Sequence, residues 1–182
     1  MTKTKLEGFI TMRTPYYADG LEDLIKWINT HRPTKEMRMI EIGSYVGEST
    51  IQFANHFKQV VSIDPYLENY DENDLTCSAW PLSWAYDEFI NNTINYPNIK
   101  SIRLTSNEAL KIVSKYKWDF IYIDGLHTYE GVKNDIQKYK DLILPGGFLA
   151  GHDYEFDTVK AAVDELIEVH QTFKDTSWIT KL

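Results

Sequence analysis

Four short stretches carry residue types that do chemistry. Met39-Ile40-Glu41-Ile42-Gly43-Ser44-Tyr45-Val46-Gly47 sets a carboxylate and then two glycines behind an apolar run. Glycine there lets the backbone turn tightly and come close to a ligand. The dinucleotide fingerprint G-x-G-x-x-G is not met, because Tyr45 holds its second glycine position, and no Gly-Lys-Ser/Thr follows to make a phosphate loop. Glu41, two residues ahead of Gly43, suits a cation or an amine better than a pyrophosphate. Val60-Val61-Ser62-Ile63 ends in Asp64-Pro65, and an acid closing a second strand can hold both hydroxyls of a ribose. Asp119 to Ile123 runs into Asp124 with His127 just beyond, and Phe148 to Ala150 runs into Gly151-His152-Asp153. Carboxylates at neighbouring strand ends suit Mg²⁺, which keeps several waters and docks substrate oxygens. His127, with an ordinary pKa of about 6.5, suits proton transfer from a hydroxyl or an amine. Each feature also has a plainer reading. The glycines only turn the chain, Asp64 caps the turn at Pro65, and Asp124 orients its strand end. Asp153 caps the helical segment after it, and His127 caps the helix that begins near Thr128.

These residues form one site only if the elements gather them. Leu21, Leu24, Ile25 and Ile28 recur at helical spacing behind Asp19 as N-cap, and His31-Arg32-Pro33 ends that helix. Strands are expected over 37–42, 60–63, 99–104, 119–123, 148–150 and 178–182. Helices are expected over 49–57, 84–94, 107–116, 129–143 and 158–169, with a turn at Pro145-Gly146-Gly147. Residues 66–84 read as an irregular loop insertion. Strands separated by such helices require right-handed crossovers and a mostly parallel sheet, an α/β fold with helices on both faces. The last strand is expected to be antiparallel. Ligands then bind outside the carboxyl ends of the strands. One edge would collect Glu41 to Gly43, Asp64, Thr105-Ser106, Asp124 to His127 and His152-Asp153.

The 182 residues, 43% of them apolar, suffice for one compact domain and are tight for two. Residues 1–182 are expected to form a single domain, with a helical N-terminal segment at 1–36. The 19 Lys and Arg against 27 Asp and Glu give a net charge of −8, which argues against nucleic acid as a partner. The stretch from Gln59 to Ile99 lacks Lys and Arg yet holds Asp64, Glu68, Asp71, Glu72, Asp74, Asp87 and Glu88. It reads as a solvated acidic face, or as a rim that favours a cation. The one cysteine, Cys77, excludes an internal disulfide framework and a cysteine zinc cage. Met1 to Arg13 lacks the apolar run of a signal peptide, and no stretch approaches a membrane span. The expectation is a cytoplasmic protein without a membrane partner.

Glu41 to Gly47, Val61-Ser62-Ile63-Asp64 and Leu144-Pro145-Gly146-Gly147 resemble the motifs of class I S-adenosylmethionine-dependent methyltransferases. The stretch Asp119 to Lys133, with Gly151-His152-Asp153-Tyr154, is similar to the branch that includes macrocin O-methyltransferase and cephalosporin hydroxylase-like proteins. Catechol O-methyltransferase is a more distant relative by site layout. The likeness runs from about Met37 to Tyr154 and implies the Rossmann-like class I methyltransferase fold. It implies a cofactor site in which Glu41 faces the methionine amine or the adjacent turn. Gly43, Ser44, Tyr45 and Gly47 would lie along the cofactor, Asp64 with Pro65 at the ribose, Thr105 and Ser106 at the adenine, and Asp124 beside the methyl group. An acid is common at the Thr105 position. Metal-binding relatives use an acid at three positions that match Asp124, His152 and Asp153 here. His152 departs from that pattern, and imidazole suits Mn, Fe or Zn better than Mg²⁺, so three outcomes stand open: a different metal, a His152 that points elsewhere, or no metal. Some relatives carry a basic carboxylate at the Leu126 position. Leucine cannot serve, which leaves His127 beside it, with Asp124, as the catalytic candidates.

The function implied is methyl transfer to a small-molecule acceptor, first of all a hydroxyl. The sulfonium carries the activation, so the protein mainly aligns nucleophile, methyl carbon and sulfur. A base takes the proton, and a metal, where bound, lowers the nucleophile's pKa. The acceptor is expected between Pro15, Tyr16 and Tyr17 and the 66–84 loop. Trp80, Trp84 and Tyr86 would either wall the acceptor or pack the loop. Three alternatives stand. One is a non-catalytic S-adenosylmethionine-binding or accessory domain, supported by Leu126 and His152. Another is a nicotinamide-dependent oxidoreductase, against which the missing fingerprint argues. The third is a hydroxylase-like reaction on the same fold. The relatives often form oligomers, and the aromatic content allows a homo-oligomer here.

Overall fold

The computed structural model describes residues 4–6, 9–11, 15–68 and 81–182, with side chains from Tyr17 onward. Trp80, Cys77, Asp71, Glu72 and Asp74 lie outside the described residues, as do the side chains of Pro15 and Tyr16. Strands β1 (Thr4–Leu6) and β2 (Phe9–Thr11) pair antiparallel ahead of helix α1 (Pro15–His31). Among the described residues of the N-terminal segment, this strand pair precedes the helix. Asp19 lies inside α1 and is not its N-cap.

The chain then alternates: β3 (Arg38–Ile42), α2 (Glu48–Ala54), β4 (Gln59–Ile63), α3 (Leu82–Thr93), β5 (Ile99–Ile102), α4 (Ser106–Val113), β6 (Trp118–Ile123), α5 (Tyr129–Tyr139), β7 (Ile143–Gly151), α6 (Asp157–Leu166), β8 (Gln171–Thr172) and β9 (Trp178–Lys181). The seven-stranded sheet has the order β5-β4-β3-β6-β7-β9-β8. Strands β5, β4, β3, β6 and β7 are parallel, while β9 runs antiparallel to both β7 and β8. This is the expected Rossmann-like α/β fold with an antiparallel C-terminal end. The winding reverses between β3 and β6, and crevices form at such switch points.

Period-two alternation explains the two faces. Ile40, Ile42, Ile121 and Ile123 pack with Val113, Val132, Ile136 and Val163 from α4, α5 and α6. Met39, Val60, Phe120, Tyr122 and Phe148 pack with Leu21, Leu24, Ile25 and Ile28 of α1 and Phe53 of α2. Three expected boundaries are corrected. Helix α5 stops at Tyr139, one 3₁₀ turn covers Lys140–Leu142, and β7 already starts at Ile143. Pro145-Gly146-Gly147 is then a bulge within β7, since Trp118 pairs with Ile143 but Phe120 pairs with Phe148. Gly146 takes φ +76° there, a left-handed conformation open to glycine. Helix α6 ends at Leu166, and the short polar β8 follows it.

Candidate cofactor and metal site

The loop after β3 is a left-handed turn, with φ +83° at Gly43, +44° at Tyr45 and +87° at Gly47. A Cβ on Gly43 would stand 1.8 Å from the carbonyl oxygen of Asp124, and one on Gly47 would stand 3.0 Å from the Phe89 ring. At Gly43 the Asp124 backbone leaves no room for a Cβ, and at Gly47 the left-handed φ suits glycine while the Phe89 ring would have to give way to a Cβ. Asp124 N–H donates to Ile42 O at 2.7 Å, and Gly43 N–H to Ile63 O at 2.8 Å, so three strand ends are tied together. Glu41, expected to face the methionine amine or the adjacent turn, aims its carboxylate at the start of α2. It is fully buried and accepts hydroxyl bonds from Ser49 at 2.6 Å and from Thr50, at the start of α2. Its charge there also suits the helix N-terminus.

Asp64 closes β4 as an acceptor for the turn. Its Oδ2 takes the amides of Ser44 (2.9 Å) and Tyr45 (3.0 Å), and its Oδ1 takes that of Tyr66 (2.9 Å). Burial pushes its pKa up against those three bonds. A carboxylate offers about four lone-pair positions, so one remains for a ligand hydroxyl. Pro65 beside it is partly buried. The buried Ser44 hydroxyl accepts from Ser62 at 2.8 Å and lies 3.3 Å from the Tyr66 hydroxyl, which donates to Tyr45 O at 2.8 Å. Burial and the nearby Asp64 push the Tyr66 phenol up, so it stays a neutral donor.

At the end of β5, Thr105 caps α4 in a capping box with Glu108. Ser106, expected at the adenine, has a buried hydroxyl that donates to Asp135 Oδ1 at 2.6 Å, inside the fold.

The ends of β6 and β7 bring the remaining candidates together. Asp124, His152 and Asp153 each offer a ligand atom, all within 4.8 Å of one another. His152 Nδ1 is 3.1 Å from Asp153 Oδ1 and 3.7 Å from Asp124 Oδ1. His127 Nε2 is 2.8 Å from Asp153 Oδ2 and 3.9 Å from Asp124 Oδ1. Burial works against a charged His127, but bonding to Asp124 and Asp153 outweighs it and pushes the imidazole up to about 11. Asp153, by the same contacts with His127 and His152, is held well below the usual carboxylate range despite its burial. As placed, His127 is an imidazolium at neutral pH and not a free base. Asp153 itself takes φ +56°, a region costly for most side chains and more tolerated by Asp. Leu126, His127, His152 and Trp178 line a small cleft against Asp124.

Trp84 and Tyr86 pack on a cluster of Val46, Tyr66, Leu82, Ala85 and Phe89 that seats α3 against the turn. Tyr17 of α1 stands with its ring 6.0 Å from that of His152. Glu68 takes the amide of Leu82 at 2.8 Å, which accounts for one acid of the cation-free stretch. Three residues escaped the sequence reading: Tyr66 over the turn, Arg103 with its guanidinium 4.4 Å from the Tyr86 ring, and Asp135 behind Ser106. Asp135 follows an apolar helical face and carries no motif of its own.

A reversed, mostly parallel sheet with acids at the ends of β4, β6 and β7 defines a class I methyltransferase fold. Residues 40–154 match the methyltransferase-domain family, and the chain belongs to that family. The N-methyltransferase NodS from Bradyrhizobium japonicum WM9, solved with S-adenosyl-L-homocysteine, superposes with a TM-score of 0.63 at 15% identity over 93% of this chain and 89% of that one. The O-methyltransferase NovP gives 0.61 at 14% identity over 91% and 77%. The calicheamicin methyltransferase CalS11 gives 0.60 at 10% identity over 100% and 98%. At these identities the likeness is one of fold. No curated protein matches the chain. Among the described residues, no helix is long and apolar enough to cross a membrane.

Proposed function

We propose that the chain transfers a methyl group from S-adenosylmethionine to a hydroxyl of a small molecule, assisted by a divalent cation at Asp124, His152 and Asp153. The observation that carries this reading is that trio, clustered on the sheet edge that also holds the Gly43 turn and Asp64. Its donor set of two carboxylates and one imidazole suits Mn²⁺ and tolerates Mg²⁺. When bound, such a cation lowers the pKa of an acceptor hydroxyl. The sulfonium brings the activated methyl group, and the chain's part is alignment. Asp64 would keep its remaining acceptor position for a ribose hydroxyl, with Ser44 and Tyr45 fixing the turn. Asp124 and Asp153 would hold the cation. His127 is a counter-ion to Asp153 in the resting arrangement, and it would take the acceptor's proton only where Asp153 turns away from it. The single domain 1–182, with the 66–84 loop over the acceptor, belongs to this reading, as does the macrocin O-methyltransferase branch.

The test is calorimetric titration with S-adenosylhomocysteine, with and without Mg²⁺ or Mn²⁺. Asp64→Ala alone is an ambiguous control, because it also strips the acceptor from three amides. A ligand lacking the ribose hydroxyls leaves the turn intact and should bind more weakly. A cation-dependent heat lost in Asp124→Ala supports the assisted mechanism. No binding by folded protein refutes the reading. A second reading, a binding domain without chemistry, is favoured by the charged His127 beside Leu126. Tight cofactor binding with no cation effect and no transfer to any hydroxyl acceptor would select it.

A further inference from the structure

Asp175 lies in the turn between β8 and β9, outside the residues matched to the family. It is 0% exposed. Burying a carboxylate costs several kcal/mol unless charge or hydrogen bonds compensate. Ser177 supplies its N–H at 3.3 Å and its hydroxyl at 2.9 Å, and that hydroxyl lies 3.0 Å from Tyr122 on β6. These bonds fill about half of the carboxylate's lone-pair positions. Helix α1 closes over the group at Gly20, where a Cβ would stand 2.4 Å from Asp175 Cβ. The His152 ring faces it, its Nε2 at 4.0 Å from Asp175 Oδ2. That separation exceeds a hydrogen bond, so the contact is electrostatic.

The His152 ring is therefore bracketed by acids, with Asp175 behind Nε2 and Asp153 and Asp124 before Nδ1. A neutral imidazole carries one N–H. Without a cation, Asp153 at 3.1 Å favours the proton on Nδ1; a cation taking Nδ1 would drive that proton to Nε2, where Asp175 stands behind it. Metal-binding imidazoles are commonly held in this way by an acid on their far nitrogen. We infer that Asp175 is a positioning residue that orients His152 as a nitrogen ligand for a cation between Asp124 and Asp153. The inference rests on the cation reading given above. It also explains why the C-terminal antiparallel strands matter to the site: β9 pairs with β7 and carries the Asp175 turn against His152.

The experiment titrates the full chain with Mn²⁺ by calorimetry, as wild type, Asp175→Ala and Asp175→Asn. The wild type should bind. Asp175→Ala should weaken Mn²⁺ by about 10- to 100-fold, and Asp175→Asn, which keeps the shape without the charge, should weaken it as well. Affinity for S-adenosylhomocysteine without cation should not move, which a merely structural role would not predict. Nitrogen NMR of the Zn²⁺-loaded wild type needs no variant and should show His152 protonated at Nε2 and bare at Nδ1. A wild type that binds no cation overturns the cation reading, and this inference with it. A wild type that binds with His152 protonated at Nδ1, or Asp175 variants that bind as tightly, overturns the Asp175 role alone.

Discussion

Replacing Asp135 with Asn removes a buried charge and keeps the side chain's shape. Asp135 is 3% exposed, takes the Ser106 hydroxyl at 2.6 Å and lies near the amide of Asn134. Burial raises its pKa more than Ser106, Asn134 and Lys138 lower it, from 3.8 to about 6. The folded state therefore binds more protons than the unfolded state between those values. Stability from this group is fully present below pH 3.8 and is lost as pH rises through about 6. At about 1.36 kcal/mol per pH unit, the loss by pH 7 is on the order of 3 kcal/mol. In Asp135→Asn, the amide oxygen still accepts from Ser106 and the charge penalty is absent. The variant should unfold at higher urea than the wild type at pH 7, with the advantage shrinking toward zero at pH 4. Other acids titrate in the same range, so the difference between the two proteins is the quantity to read. A variant less stable at pH 7, or a difference flat from pH 4 to 7, would refute the argument.

Three further outcomes follow from the site. Gly43→Ala places a Cβ 1.8 Å from the Asp124 carbonyl and should cost more than about 4 kcal/mol. Gly146→Ala meets nothing within 4 Å despite φ +76° and should cost about 1–2 kcal/mol; thermal melts that rank the two alike would contradict the packing account. Thr105→Ala should lose about 1 kcal/mol with its capping box, and Thr105→Ser should restore it in the same melts. Asp124→Ala should abolish any stabilisation of the folded chain by added Mn²⁺, and a variant that keeps it would move the cation elsewhere.

Most of the parallel strands were legible because they are short, mainly apolar runs closed by an acid or a turn, and strands alternating with helices admit few topologies. That logic also gathered Asp124, after β6, with the adjacent pair His152-Asp153, after β7, all within 4.8 Å in space. Side-chain direction was not legible. Ser106 was expected at the adenine and Glu41 at either the methionine amine or the adjacent turn; both side chains bond inside the fold, because a buried acid and a helix start offered them partners. Pro145-Gly146-Gly147 marks a real break, but whether a break ends a strand or bulges it depends on pairing with β6. The importance of Asp175 comes from the antiparallel return of β9, which no local pattern announces.

The Gly43 contact bears on how the two halves of the site cooperate. With no Cβ at 43, the cofactor turn rests directly on the backbone of Asp124, and the Asp124 amide is bonded back to Ile42. The turn and this candidate metal ligand are thus one rigid unit at the switch point. The β7 end is tied to the same edge: the His152 N–H donates to Ile123 O at 3.1 Å, and Asp153 follows it at φ +56°. The backbones that carry the three candidate ligands are thus fixed relative to the turn. In the proposed reaction a methyl donor over the turn would keep a fixed distance to that edge, and alignment of donor and acceptor governs displacement.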